Sequence, residues 1–233
     1  MSRPLRRNAR RRGTASANPP TIVRHTNAFI ADGVSTLACS LPAAATAGNL
    51  LLWVAAMDKS PGTLTMSGTG WATPINLRSS SVSLAASWKT AAGGETNLSG
   101  SVGGTAPPSG SRVWVAELAQ EGAGAWTVLS ATNNSSEATT MNWSTGTTAP
   151  VTVPSLAIAL WAIDSVMNRG SNWSDPAGYT EVYVSVTTGD GGEAGLWVSS
   201  SALAVGDTAG GMLTRTSGTA DQMTGGALAI GRA

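Results

Sequence analysis

Residues 47–58 read AGNLLLWVAAMD, a glycine-containing turn followed by an apolar run of strand length. The run from Leu50 to Met57 has no charged or polar side chain on either of its two alternate faces. Side chains of a strand point alternately to opposite faces, so such a run predicts a strand that is buried between two layers. LAIALWAI (156–163) is a second run of the same kind.

Shorter strand-like segments flank these two runs and are separated by Gly, Pro, Asn, Ser and Asp turns. They are TIVRHTNAFI (21–30), VSTLACSL (34–41), SVSLAASWK (81–89), SRVWVAELAQ (111–120), WTVLSAT (126–132), GYTEVYVSV (178–186), EAGLWVSSS (193–201) and GGALAIG (225–231). In 81–89 the side chains of Leu84, Ala86 and Trp88 share one face. In 111–120 Val113 and Val115 lie opposite Trp114. AAGGETNLSG (91–100) is predicted to be a loop.

Composition supports the same fold class. Only 12% of residues are charged and the chain has 28 glycines, whereas a helical protein needs many charged outer faces. No segment has a sustained apolar stripe of helical period. We therefore expect an all-β fold, a two-layer antiparallel β-sandwich of jelly-roll-like type, formed by residues 21–233.

The two halves of the chain, about 45–120 and 150–232, resemble each other, which indicates an internal duplication. The matches occur in the same order, with offsets that rise from 106 to 113 residues. They are 49–58 with 155–164, 67–71 with 175–179, 84–88 with 193–197, and 113–119 with 226–232.

The net charge of +1 conceals an uneven distribution. Residues 1–24 carry seven arginines and no acid, and the rest carries seven basic and thirteen acidic residues, so a +7 segment precedes a −6 body. Residues 1–20 are predicted to be an extended arm, because they are Arg-rich and end in Asn18-Pro19-Pro20. Its partner-binding residues are predicted to be Arg3, Arg6, Arg7, Arg10, Arg11 and Arg12. Nucleic acid, an acidic protein surface and a neighbouring copy of the chain all fit such an arm.

Residues suited to catalysis are few. His25 is the single histidine and Cys39 the single cysteine, and the thirteen acids form no diagnostic motif. Cys39 lies in a strand-like segment, where we expect a small buried thiol. We expect no catalytic residues, no cofactor and no metal site, and hence a protein that is not an enzyme. There is no secretory signal and no apolar run of transmembrane length, so we expect synthesis in a host cytoplasm and no contact with a membrane.

The nine tryptophans divide into two groups. Trp53, Trp88, Trp161 and Trp197 lie within strand-like segments and are predicted to be core residues. Trp126, Trp143 and Trp173 lie in the polar stretches GAWTV, MNWST and SNWSD, which we interpret as loops. For these three, contact with another subunit or with a carbohydrate is as consistent with the sequence as core packing.

One set of residues resembles a β-sandwich module of actinobacterial and actinophage proteins. The matching positions are Gly48, Asn49, Leu50, Gly70, Trp71, Trp88, Lys89, Ala91, Glu95, Glu117 and Leu118. The chain departs from the pattern after Leu118, where it reads AQEGAG. In tailed phages, the resemblance implies an accessory virion protein of the minor tail, fibre-associated or head-decoration type, and it implies no catalytic residues.

These observations together predict a structural virion protein that is fastened to the particle by its basic arm and self-associates as a homo-oligomer. Its expected partners are other capsid or tail proteins and copies of itself. Two alternatives remain open: a host-glycan-binding module of a virion, and a jelly-roll coat protein whose arm binds packaged nucleic acid.

Overall fold

A computed structural model describes residues 18–31, 33–58, 64–78, 82–103, 110–122, 124–133, 142–164, 173–185, 194–216 and 222–233. Sixteen strands and no helix occur within these ranges. The first eight are β1 Thr21–Ile30, β2 Thr36–Ser40, β3 Leu50–Asp58, β4 Leu64–Met66, β5 Ala72–Arg78, β6 Val82–Thr90, β7 Asn97–Val102 and β8 Ser111–Ala119. The other eight are β9 Trp126–Asn133, β10 Asn142–Thr147, β11 Ser155–Asp164, β12 Trp173–Ser174, β13 Thr180–Val184, β14 Ala194–Leu203, β15 Gly210–Arg215 and β16 Gln222–Arg232.

The strands form four antiparallel sheets. A first large sheet has the order β1-β8-β3-β6-β5, and a second large sheet has the order β13-β14-β11-β16-β9. Each is accompanied by a small sheet, β2-β7-β4 in the first half of the chain and β10-β15-β12 in the second. No helix in the described part of the chain is long and apolar enough to cross a membrane.

Three layers of buried side chains lie between the four sheets. Leu50, Leu52 and Val54 belong to a central core that is shared by the two large sheets. Leu51 and Trp53 alternate with them along β3 and pack instead with the first small sheet. β11 behaves in the same way between the central core and the second small sheet. Both apolar runs are therefore covered on two faces, as their lack of alternation predicts.

The expected all-β antiparallel sandwich is confirmed. Each half of the chain forms one two-layer sandwich, a large sheet against a small one, and the two sandwiches stack through their large sheets. The complete order of layers is thus small, large, large, small. Trp53, Trp161 and Trp197 are buried, and Trp88 packs partly buried against the central core, so the predicted core positions of these tryptophans are confirmed.

The halves repeat strand by strand. Each strand of the first half corresponds to the strand eight places later, and the orders of both sheets are the same in the two halves. Turns repeat as well. Gly70 (φ 84°) and Gly178 (φ 82°) have the same left-handed conformation before an aromatic residue. The side chains of Glu95 and Asp207 both accept a hydrogen bond from the backbone N–H three residues earlier, at Ala92 and Ala204. The repeat begins at β1 and β9, earlier than the predicted halves.

The sequence alignment of the halves is wrong in register at two of its four matches. Asp58 of β3 pairs with Val82 of β6, and the equivalent Asp164 of β11 pairs with Ala194 of β14. The equivalent residues of β3 and β11 are therefore 106 positions apart, and those of β6 and β14 are 112 positions apart. The predicted offset of 109 equates Trp88, which faces the central core, with Trp197, which faces the second small sheet. The predicted offset between β8 and β16 is 113, whereas the strand pairing gives 112. Both errors are odd numbers of residues, and such a shift exchanges the two faces of a strand.

Some segments predicted as loops are strands. Asn97–Val102 is β7, which pairs with β2 and β4, although most of it was expected to be loop. Trp143 and Trp173 lie in β10 and β12 rather than in loops, and Trp126 begins β9. β7, β10 and β12 consist mainly of Ser, Thr, Gly and Asn because one face of a small sheet is exposed to solvent, so their apolar pattern is too sparse to recognise. β9 belongs instead to the second large sheet and was predicted as a strand over 126–132.

Candidate attachment site

The six arginines of the predicted partner-binding arm, residues 3–12, lie outside the described residues. The described chain begins at the end of the arm with Asn18, Pro19 and Pro20, which we term the arm root. Proline fixes φ and removes a backbone donor, so the two prolines restrict the direction in which the arm leaves the body. β1 begins directly after them, at Thr21.

The side chain of Gln120 binds the arm root. The Nε2 amide of Gln120 donates to the carbonyl oxygens of Asn18 (2.8 Å) and Pro154 (3.2 Å). Gln120 follows the last residue of β8 and is 8% exposed. We term these two hydrogen bonds the Gln120 clamp. The clamp joins the arm root to an end of the first large sheet and to Pro154, the residue that precedes β11.

Two grooves flank the arm root. One has a volume of about 680 Å³ and is lined by Asn18, Pro19, Pro154, residues 202–205 and Asp207. The other, of about 330 Å³, is lined by Asn18, Pro19, Thr21, Ala119, Gln120 and Glu121. Val205 in the first groove is 61% exposed, the most exposed of the large apolar side chains in the described ranges.

Each groove carries one carboxylate at its border. Glu121 and Asp207 are both exposed, and one Oδ2 oxygen of Asp207 accepts a hydrogen bond from the N–H of Ala204 (2.9 Å). Exposed carboxylates attract a chain of arginines through a Coulomb interaction that is screened by salt. The body thus offers negative charge where the positive arm leaves it.

The second half contains a counterpart of the clamp. The guanidinium of Arg232 donates to the carbonyl oxygen of Gly124, which corresponds to that of Asn18 in the repeat. Arg232 also lies over the ring of Trp126 (5.4 Å), and the Trp126 indole N–H donates to the carbonyl oxygen of Gly48 (2.9 Å). The arm thus leaves the first sandwich at the position where the linker between the halves enters the second.

The three tryptophans proposed as contact residues do not form one surface. Trp126 is 8% exposed and belongs to the central core, whereas Trp143 is 2% exposed and lies on the far side of the second large sheet. Trp173 is half-buried between Trp143 and Trp197, at ring distances of 5.6 and 6.0 Å. Arg215 lies over its ring at 5.1 Å. A contact role for the three stays a prediction, although Trp126 and Trp143 occupy core positions.

The residues considered for chemistry are held in structural contacts. His25 is exposed, and its Nδ1 accepts a hydrogen bond from the indole N–H of Trp114 (3.3 Å). Burial raises the pKa of the Cys39 thiol to about 11, which disfavours the reactive thiolate. Within the described ranges, no three His, Cys, Asp or Glu side chains are grouped as metal ligands would be.

Sequence reasoning did not find Gln120, Glu121 or Asp207. Gln120 and Glu121 belong to AQEGAG, where the chain departs from the actinophage pattern, and that departure was the only available signal. Asp207 lies about 190 residues from the arm in sequence and reaches it only through the fold.

No protein-family model, no curated protein and no solved structure matches this chain.

Proposed function

We propose that the protein is an accessory structural subunit of a tailed-phage particle, fastened to its neighbours by the basic arm. The observation that carries the proposal is the clamp of Gln120 on the arm root, which gives the arm a fixed origin beside two acidic-bordered grooves. A charged tail that only increases solubility would not need a fixed point of attachment to the body. A tether, in contrast, transmits force only if its base is held in place.

The body supports a mechanical role. Its two stacked sandwiches bury three successive layers of side chains, and the described strands pair over their length with antiparallel neighbours. Extensive backbone pairing and close packing resist deformation of the fold. A rigid body with a fixed tether is suited to reinforcement or attachment, and its low charge favours contact with other subunits.

The arm is proposed to bind protein rather than nucleic acid. The arginines are not interleaved with aromatic residues that could stack on bases, and the body carries −6. Neighbouring acidic subunits, including copies of this chain, therefore provide complementary charge. Trp126 and Trp143 have little exposed area for a sugar ring, so the glycan alternative gains no specific support.

The test compares incorporation of three forms into particles of the phage that encodes the chain. They are the full chain, a form lacking residues 2–12, and a charge-preserving form in which the six arginines become lysines. We expect loss of incorporation for the deletion and partial or full retention for the lysine form, since Coulomb attraction does not require guanidinium groups. Full incorporation of the deletion form would refute the proposal.

A second measurement separates the protein from the nucleic-acid alternative. Attachment to packaged nucleic acid should be lost after nuclease treatment of opened particles, and its affinity should fall steeply with salt because counterions are released. Attachment to protein should survive nuclease. Release by nuclease would replace the accessory-subunit proposal with the coat-protein alternative.

A further inference from the structure

The edge strands of the two large sheets face each other in two equivalent pairs, β5 with β9 and β1 with β13. The two sheets are in close contact at the first pair and are separated by a cleft at the second. β5 and β9 form the closed pair at one side of the central core. There Ile75 is fully buried, and a Cβ atom at Gly226 would lie only 2.7 Å from its Cδ1 atom. The absence of a side chain at Gly226 allows the two large sheets to approach closely at this edge.

The equivalent pair, β1 and β13, carries larger side chains. The strand register equates Ile75 with Tyr183, because Ile75 pairs with Ala86 and Tyr183 with Val198, the equivalent position of β14. The offset of 112 on β8 likewise equates Gly226 with Trp114. Two bulky aromatic residues thus replace an isoleucine and a glycine, and they hold this edge apart.

The result is a cleft of about 230 Å³ between the two large sheets. It is lined by Asn27, Phe29, Arg112, Tyr183, Val184 and Ser185. Phe29 is 48% exposed at its mouth, and the guanidinium of Arg112 lies 4.1 Å from the centroid of the Phe29 ring. The repeat equates Arg112 with Thr224, so the closed edge has no cation at the position that Arg112 occupies at the open edge.

The polar groups of the cleft are mainly hydrogen-bond donors. Arg112 is 9% exposed, and its guanidinium carries five N–H donors in a planar fork. The phenol of Tyr183 holds its proton at neutral pH and can donate a hydrogen bond, and burial raises its pKa further. The Ser185 hydroxyl already accepts a hydrogen bond from the N–H of Leu196 (2.7 Å), which leaves its own proton to donate. Asn27 adds an amide.

We propose that this cleft binds a carboxylate group. A carboxylate has two oxygens that match the fork of an arginine, and it accepts the further hydrogen bonds that Tyr183, Ser185 and Asn27 offer. The volume suits one such group on a short aliphatic stem rather than a large ligand. The site is separate from the arm root, so this inference does not depend on the proposed function.

The carboxylate has two sources with the same chemistry: a free short-chain acid, and an acidic side chain of a second copy of this chain. The first experiment tests the chemistry alone. The ¹⁵N-labelled full chain is titrated with acetate at constant ionic strength, with acetamide and chloride as matched probes. The reporters are the backbone N–H groups of Val184 and Ser185 and the indole N–H of Trp114, which donates to His25.

We expect saturable shifts of these signals with acetate alone. Arg112→Gln should weaken acetate binding by about 10- to 100-fold, as expected for loss of a charge-assisted hydrogen-bond pair. Arg215→Gln is the matched control, because it removes an arginine that lies over Trp173 on another face. Shifts that do not saturate, that acetamide reproduces, or that are the same in Arg112→Gln would overturn the proposal.

Tyr183→Phe keeps the result interpretable if Arg112→Gln does not fold. It removes one donor and leaves the ring, so it should fold and weaken acetate binding by a smaller factor. Unchanged acetate binding in this folded variant would count against the site.

Sedimentation velocity distinguishes the sources. If a second copy supplies the carboxylate, both excess acetate and Arg112→Gln should lower the self-association of the chain, whereas acetamide and Arg215→Gln should not. If acetate binds and self-association is unaffected, the ligand is a free acid. If acetate does not bind and Arg112→Gln leaves self-association unchanged, the proposal is wrong in both forms.

Discussion

Arg24 and Glu117 form an ion pair, with the Arg24 Nε atom 2.9 Å from Glu117 Oε2. The other carboxylate oxygen of Glu117 accepts hydrogen bonds from the Thr46 N–H (2.9 Å) and from the Asn49 side chain (2.6 Å). Glu117 is fully buried, and Arg24 also donates to the carbonyl oxygen of Ala44 (3.0 Å). This one carboxylate therefore connects β1, the strand that follows the arm, with β8 and with the turn that precedes β3.

Removal of either partner should destabilise the protein by unequal amounts. Arg24→Gln leaves a fully buried carboxylate without its cation and should lower the free energy of unfolding by about 3–5 kcal/mol. Glu117→Gln leaves a partly exposed arginine, which water can solvate, so a smaller loss of about 2–3 kcal/mol is expected. Urea unfolding followed by tryptophan fluorescence measures both values.

Lys89→Gln is the control for this comparison. It breaks the more exposed pair of Lys89 with Glu95, whose atoms are 3.2 Å apart, and should change stability by less than about 1 kcal/mol. Equal losses for Arg24→Gln and Lys89→Gln would show that the pair with the fully buried carboxylate contributes no more than the partly exposed pair of Lys89 with Glu95.

The closed edge between β5 and β9 depends on the absence of a side chain at Gly226. Gly226→Ala places a Cβ atom 2.7 Å from Ile75 Cδ1, and the fully buried Ile75 has little room to move, so a loss of about 1–2 kcal/mol is expected. Ile75→Val removes the Cδ1 atom. The double variant should therefore be more stable than the sum of the two single losses implies, as a double-mutant cycle measures. If the stability losses of Gly226→Ala and Ile75→Val are additive, the side chains at these two positions are not in contact.

The sequence predicted the two large sheets much better than the small ones. β3 and β11 are apolar on both faces, a pattern that only a strand between two layers produces, and β6 and β8 alternate with the faces that the structure confirms. β7 and β10 have one solvent-exposed face built from Ser, Thr, Gly and Asn, so they resemble loops. The register between the two halves could not be predicted from the sequence either, because alanine-rich strands match each other almost equally well when they are shifted by one or three residues.

The candidate sites were less predictable still. The arginines of the arm were visible as a charge cluster, but Gln120 and Asp207 meet the arm root only because β8 and the turn after β14 end at the same edge of the body. Arg112 and Tyr183 are separated by about 70 residues in the chain, and nothing local marks either one. Such sites arise from the stacking of two sandwiches, which composition and periodicity do not encode.

Trp143 and Trp173 should respond differently to truncation, although for both the sequence was equally consistent with a contact role and with core packing. Trp143 is 2% exposed within the core of the second half, so Trp143→Ala should cost about 3–5 kcal/mol of stability. Trp173 is half-buried at the margin of the same cluster, and Trp173→Ala should cost about 1–2 kcal/mol. Chemical denaturation of both variants checks the order. A larger loss for Trp173 would contradict the core position of Trp143.

Cys39 should react slowly with thiol reagents while the protein is folded. Its side chain is 4% exposed, and burial raises its pKa to about 11, so only a small fraction is thiolate at pH 8. Alkylation by iodoacetamide at pH 8 should be slow, because it proceeds only through the small opened population of the protein, and addition of urea should accelerate it to the rate of a free thiol. Rapid alkylation of the folded chain would contradict the buried strand position of this residue.

Glu95 should make stability depend on pH in the acidic range. Burial opposes ionisation of its carboxyl group, but hydrogen bonds from the N–H groups of Ala92 and Gly93 and from the Lys89 ammonium outweigh burial and lower the pKa to about 2. A carboxyl whose pKa is lower in the folded state stabilises the protein above the unfolded value of 4.5, and this contribution is lost as the pH falls from 4.5 towards 2. Glu95→Gln should therefore reduce stability at pH 7 and approach the parent chain below pH 3, as urea unfolding across this range would measure. Glu121→Gln, which removes an exposed carboxylate of the same charge, is the control, and the same pH profile in both variants would assign the effect to net charge rather than to these hydrogen bonds.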